Sequence, residues 1–224
     1  MPLSSRLSQR LAAEGLGSLL LAAAVIGSGI MGERLANGNV AIALLANTAA
    51  TVAALAVLIA IFAPVSGAHF NPAVTLVMAI RRNLPWRDAG AYILVQIAGC
   101  CAGALLAHAM FELPLVQAST QARFGTAQWL AEVVATLGLL LVILGLRRPA
   151  AAPWLIAGWI GAAYWFTAST SFANPAITIG RSLTDTFAGI RPIDAPYFIA
   201  AQFAGALLGL ITARHLFPLY SRSR

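Results

Sequence analysis

The stretch Ser66-Gly67-Ala68-His69-Phe70-Asn71-Pro72-Ala73 decides the fold, because the chain repeats it as Ser169-Thr170-Ser171-Phe172-Ala173-Asn174-Pro175-Ala176. In each copy Asn-Pro-Ala precedes an apolar run, Val74 to Ile80 in the first and Ile177 to Phe187 in the second. Proline suits the first turn of a helix, where no backbone donor is needed. Asparagine just ahead of it suits the N-cap. Each copy therefore predicts the start of a helix too short to cross a bilayer. Two such half-helices entering from opposite faces would meet near the midplane with their positive ends facing. That arrangement is a pore element.

The rest of the composition supplies a membrane for it. The 224 residues are 60% hydrophobic and only 9% charged, with a mean hydropathy of +0.83, which places the chain among integral membrane proteins. The +7 charge comes from 14 arginines against seven acids, with no lysine. Cytoplasmic loop anchoring explains it better than nucleic-acid binding. Cys100 and Cys101 are neighbours within an apolar segment and read as small core residues, not as a disulfide or a metal site. The first apolar run has no clear cleavage signal after it and reads as a retained helix.

Six runs of roughly 20 residues can span: 11–31, 40–62, 88–109, 127–146, 153–170 and 195–217. The two half-helices follow the second and the fifth. Three spans per half put the second half in inverted. The expected layout is one channel domain over 1–224, with halves at about 8–110 and 127–217 and a polar connection at 111–126. Placing both termini in the cytoplasm puts ten arginines there (Arg6, Arg10, Arg81, Arg82, Arg87, Arg147, Arg148, Arg214, Arg222, Arg224) against Arg34, Arg123, Arg181 and Arg191 outside. The halves echo each other elsewhere too. Leu11-Ala12-Ala13-Glu14 matches Leu130-Ala131-Glu132, and Gln96-Ile97-Ala98-Gly99 matches Gln202-Phe203-Ala204-Gly205. Gly99 with Gly103, and Gly205 with Gly209, carry small residues at a spacing that lets membrane helices cross closely.

The doublet resembles the signature of the aquaporin, or major intrinsic protein, family; Ser66 to Thr75 (SGAHFNPAVT) is similar to its first motif, and the second copy departs just after Asn-Pro-Ala. The resemblance covers nearly the whole chain. It implies an all-α fold of six spans and two re-entrant half-helices, a passive channel with no cofactor and no resident metal, a homotetramer with one pore per subunit, and a place in the inner (plasma) membrane. It also implies roles for Asn71, Pro72 and Ala73 and for Asn174, Pro175 and Ala176 at the pore centre, where the two asparagine amides donate to the solute.

Glu14 and Glu132 are the acids that lie deep within spans, where a carboxylate is expensive and usually has a task. They either couple protons to transport or accept backbone donors from the adjoining loop; the resemblance favours loop-holding. His69, two residues before Asn71, is read the same way, ahead of pH gating. Asn47 and Thr51, four apart, form a polar stripe that either lines the pore or bonds a neighbouring helix.

By the resemblance the selectivity ring falls, on an ungapped count from the motifs, at Thr51, Ala162, Ser171 and Ile177. The family typically has arginine where Ile177 stands and bulkier groups at some of the others, so this ring is expected to be wider and uncharged and to admit polyols. Arg181, four residues after Ile177 and on the same helical face, would stand at the outer mouth with Phe172, or else pair with Asp185. The motif Ala173 to Ile190 resembles the arsenic-operon branch of bacterial aquaporins, which implies undissociated arsenous or antimonous acid, or methylated arsenicals, beside glycerol and water. A water or ammonia pore is the alternative within channels. An ion-coupled secondary transporter is the alternative outside them, since inverted repeats and broken helices suit it too. No intramembrane nucleophile with a base, or clustered ligand set, suggests an enzyme.

Overall fold

The computed structural model describes residues 5–217, and all regular structure among them is helical. The order is α1 (Leu7–Leu35), α2 (Val40–Ser66), α3 (Pro72–Ile80), α4 (Trp86–Met110), α5 (Thr126–Gly145), a 3-10 turn (Pro149–Ala151), α6 (Ala152–Phe166), α7 (Pro175–Arg181) and α8 (Ala195–Leu216). Two long helices, one short helix and one long helix occur in sequence twice. Arg222 and Arg224, counted above among the cytoplasmic arginines, lie outside the described residues.

α1, α2, α4, α5 and α8 are long and apolar enough to cross a membrane. α6 is shorter than expected, with 15 residues. Its last predicted turn is given up because Thr167 goes extended while its hydroxyl returns to the Ala163 carbonyl at 2.6 Å. α7 likewise stops at Arg181 and does not run on to Phe187. Beyond it the polar residues bond elsewhere: Ser182 Oγ donates to Ile179 O, and Thr184 Oγ1 lies 2.8 Å from His108 Nε2.

The glycine pairs do what their spacing predicts. A Cβ on Gly99 or Gly103 of α4 would run into the backbone oxygens of Gly15 and Leu19 on α1. Gly205 and Gly209 of α8 meet Val133 and Leu137 of α5 in the same way. The partners are related by one offset, 133 − 15 = 137 − 19 = 118, and the glycines by another, 205 − 99 = 209 − 103 = 106. The two halves thus repeat the same close crossing, backbone on backbone.

Asn47 lines no pore. Its amide donates to Val25 O at 2.7 Å and to Ser28 Oγ at 2.9 Å, tying α2 to α1.

Candidate functional site

The two half-helices start on matching backbone. Asn71 (φ −155°, ψ 116°) and Asn174 (φ −155°, ψ 112°) are both extended, each followed by proline at the first helical position. Asn71 Oδ1 accepts the Ala73 N–H at 2.9 Å, and Asn174 Oδ1 accepts those of Ala176 and Ile177 at 3.0 and 3.3 Å. The amide nitrogens cross over: Asn71 Nδ2 donates to Ala173 O and Asn174 Nδ2 to Phe70 O, both at 2.7 Å. The half-helices therefore meet tip to tip. Each side-chain oxygen is used in capping and one N–H in bridging, which leaves one N–H per asparagine.

The loops leading in are held in left-handed backbone that side chains disfavour. Ala68 and Phe70 have φ of 50° and 47°; Ser171 and Ala173, at the same places relative to the asparagine, both have 47°. Glu14 and Glu132 hold them. Glu14 accepts Ser66 Oγ (2.7 Å), His69 N (2.9 Å), Phe70 N (2.7 Å) and Gln96 Nε2 (2.8 Å). Glu132 accepts Phe172 N (2.9 Å), Ala173 N (2.8 Å) and Gln202 Nε2 (2.6 Å). The glutamines also donate to Thr75 and Thr178, each at 2.9 Å. Both carboxylates are fully buried, and neither lines the cavity. His69 Nδ1 sits 3.1 Å from Thr75 Oγ1, and its residue does line the cavity.

That cavity, about 520 Å³, passes both asparagines between walls of α1, α2, α5 and α6. Its lining includes Gly67, Ala68, His69, Val74 and Met78 around the first motif, Ser171, Phe172, Ile177 and Arg181 around the second, and Thr51 and Tyr164 from α2 and α6. The aliphatic surfaces of Leu21, Val25, Leu55, Ile59 and Ile160 complete it.

One expectation about the ring and one about Arg181 need correction. Ala162 is exposed on the outer surface, in a shallow groove with Trp154 and Gly158. Tyr164 and Ile160 face the cavity from α6 instead. An ungapped count from Asn174 back to α6 fails because residues 167–173 are not helical, so no helical register carries across them. Arg181 is 2% exposed and lines the same cavity as Ile177. Its guanidinium lies 3.4 Å from the Phe172 ring centroid, and its Nε donates to Ala188 O. It does not pair with Asp185, whose carboxylate accepts Thr120 N at 2.7 Å and Thr120 Oγ1 at 2.8 Å.

Arg123 was not legible as a site residue. Its backbone N–H donates to Asp194 (2.9 Å), its Nε to Gly189 O (2.7 Å) and its Nη atoms to Ser169 O and Phe187 O (both 3.4 Å), with its guanidinium 5.1 Å from the Phe172 ring. Its partners are carbonyls of distant loops, which no local pattern announces.

Comparison with known proteins agrees with this architecture. The family model described as major intrinsic protein matches residues 3–153. The aquaglyceroporin AqpS of Rhizobium meliloti (strain 1021) is 54% identical over 94% of this chain and 91% of its own. The aquaporin AqpM of Methanothermobacter marburgensis is 29% identical over 94% and 98%. The X-ray structure of the aquaglyceroporin from Plasmodium falciparum shares the fold, with a TM-score of 0.71 over 97% of this chain and all of the other, at 19% identity. On matches of that length and identity, the chain belongs to the major intrinsic protein family, whose members are multi-pass membrane channels and not enzymes.

Proposed function

We propose that this chain is a passive, aquaglyceroporin-like channel for small uncharged hydroxylated solutes, with glycerol and water among them and undissociated arsenous or antimonous acid or methylated arsenicals as the metalloid counterparts. The observation that carries the reading is the pair of asparagines, each with one N–H left over at the junction of two helix N-termini inside a mostly aliphatic tube. Donors there replace hydration that a solute loses in single file, while the helix ends repel cations. A neutral molecule with several hydroxyl oxygens has the acceptors this requires and apolar edges for the walls. The name and the 54% identity of the Rhizobium relative support the polyol side of the reading. Thr51, Ser171 and Ile177, with Tyr164 in place of Ala162, form the constriction. Arg181 and Phe172 flank its outer mouth. Glu14, Glu132 and His69 hold the loops. We place the channel in the inner membrane as a homotetramer with cytoplasmic termini.

A water-selective pore is the second reading, favoured by one observation. Thr51, Ser171, Ile177, Tyr164 and Arg181 are each 5% exposed or less, so the collar is tight. Stopped-flow light scattering on proteoliposomes separates the two. Glycerol and arsenite should both enter, and Ile177→Arg should slow them more than it slows water. Impermeability to both solutes with brisk water flow would replace the first reading by the second.

A further inference from the structure

Resting on the cytoplasmic placement of the termini, we propose that the groove between the inner ends of α5 and α6 holds an anionic phospholipid, its phosphate on Arg147 and Arg148 and an acyl chain along the helices. The groove, about 750 Å³, is distinct from the solute cavity and shares only Leu146 with it. α6 turns Ala151, Trp154, Leu155, Gly158 and Ala162 toward it. That face runs over 162 − 151 = 11 residues, about 16 Å of helix. Two rings wall the groove. Trp159 is seated on Gly138 of α5, where an added Cβ would stand 1.9 Å from the ring, and its Nε1 donates to Ala135 O at 2.9 Å. Phe217 lies on Gly145 in the same way, 2.8 Å from such a Cβ. The floor is open at Gly158, where a Cβ would meet nothing within 4 Å. Past Trp154 the groove therefore offers a ligand apolar surface and no spare side-chain donor.

Its mouth is charged instead. Arg147 and Arg148 are both exposed, and among the described residues no carboxylate pairs with either. Asp88, at the inner end of α4, is held by Arg10 at 2.8 Å. Glu14 and Glu132 are held by the loop amides. Trp154 lines the groove beside the arginines and is 70% exposed, as suits a tryptophan at headgroup height. A phosphodiester supplies the charge that the guanidinium groups lack, in a geometry they match, and its acyl chain covers the apolar length. A soluble anion would leave that length bare, and a neutral lipid would leave both arginines unpaired. A second copy of the chain fits less well, since the carboxylate its inner end could bring, Asp88, is already bonded.

The test uses the purified full chain in detergent, with native mass spectrometry counting the lipids retained from equal amounts of phosphatidylglycerol and phosphatidylcholine. Wild type should retain phosphatidylglycerol in preference. Arg147→Gln with Arg148→Gln should weaken that retention roughly thirtyfold, about fivefold for each arginine. Arg82→Gln with Arg87→Gln removes the same charge near the connection of α3 to α4 and should leave retention unchanged. Gly158→Trp fills the groove, keeps both arginines and should also weaken retention. Equal losses in the two charge-matched doubles, or equal retention of the two lipids, means diffuse attraction and overturns the site. A Gly158→Trp chain that keeps its lipid overturns it as well; if the oligomer of that variant also falls apart, the groove belongs to a second copy. Placement is read separately, since Ala150→Cys should react with an impermeant maleimide only from the cytoplasmic face of membrane vesicles. Reaction from the opposite face alone overturns the placement, while retention in detergent still reads the groove.

Discussion

Glu132→Gln tests directly what the buried carboxylate does. One oxygen accepts Phe172 N and the other accepts both Ala173 N and Gln202 Nε2. Glutamine supplies a single acceptor and turns an NH2 toward the remaining donors. In one orientation Phe172 N–H loses its partner; in the other Ala173 N–H and Gln202 do. The site is fully buried, so water does not repair the loss. Each orphaned donor costs about 1–3 kcal/mol, more where the lost bond was to a charge. Relaxation of the strained backbone at Ser171 and Ala173, which the bonds hold in place, offsets part of this cost. Together these predict about 3–5 kcal/mol of destabilisation, the range seen when a buried charged network loses a partner. At about 2–4 °C per kcal/mol for a chain of this size, the melting temperature should fall by roughly 10 °C. Glu14→Gln should behave alike, since four donors converge there. Intrinsic fluorescence during thermal denaturation in detergent reads the shift, with glycerol flux measured in parallel. A variant that melts within about 2 °C of wild type, or one whose uptake loses a dependence on the proton gradient, would refute loop-holding and point to coupling.

Further outcomes are expected. Gly205→Leu should abolish folding, at about 3 kcal/mol or more, because its Cβ would strike the Val133 carbonyl. Gly158→Ala, with nothing within 4 Å, should raise stability by about 0.5–1 kcal/mol; both are read by thermal melts. Tyr164→Ala should raise glycerol flux relative to water by about three- to tenfold, whereas Ala162→Trp should leave the ratio unchanged in light scattering. The Thr120 amide and hydroxyl hold the Asp185 carboxyl below its ordinary pKa of 3.8. This loop contact should therefore be complete at neutral pH and lost only as the pH falls through the lowered value. The Thr120 amide proton resonance, titrated into acid, should report that step, and Asp185→Asn should remove it.

What could be read from the sequence was whatever chemistry is local. Asparagine before proline announces a capped half-helix, an acid inside an apolar run announces a buried acceptor, and glycines four apart announce a close crossing. All these features recur at matched places in the two halves and stand in the structure where the repetition puts them. The ring residue on α6 could not be reached this way, because seven non-helical residues separate it from Asn174 and erase the helical phase. The end of α7 was hidden too, since Leu183, Phe187 and Ala188 keep the segment apolar while the polar residues between them leave to bond Thr120 and His108. Arg181 carried an ambiguous signal. Its spacing from Asp185 suggested an ion pair, and only the competing Thr120 contact shows why none forms.

The crossed asparagine bonds also set a timetable for synthesis. Asn71 must wait for Ala173, 102 residues downstream, and at about 5–20 residues per second that interval is roughly 5–20 s on the ribosome. The Glu14 network draws only on residues between 14 and 96, so the first half can lock its own loop while its partner is still being translated. The matching Glu132 network waits for Gln202, so the second half can complete its own loop only after Ala173 has been made.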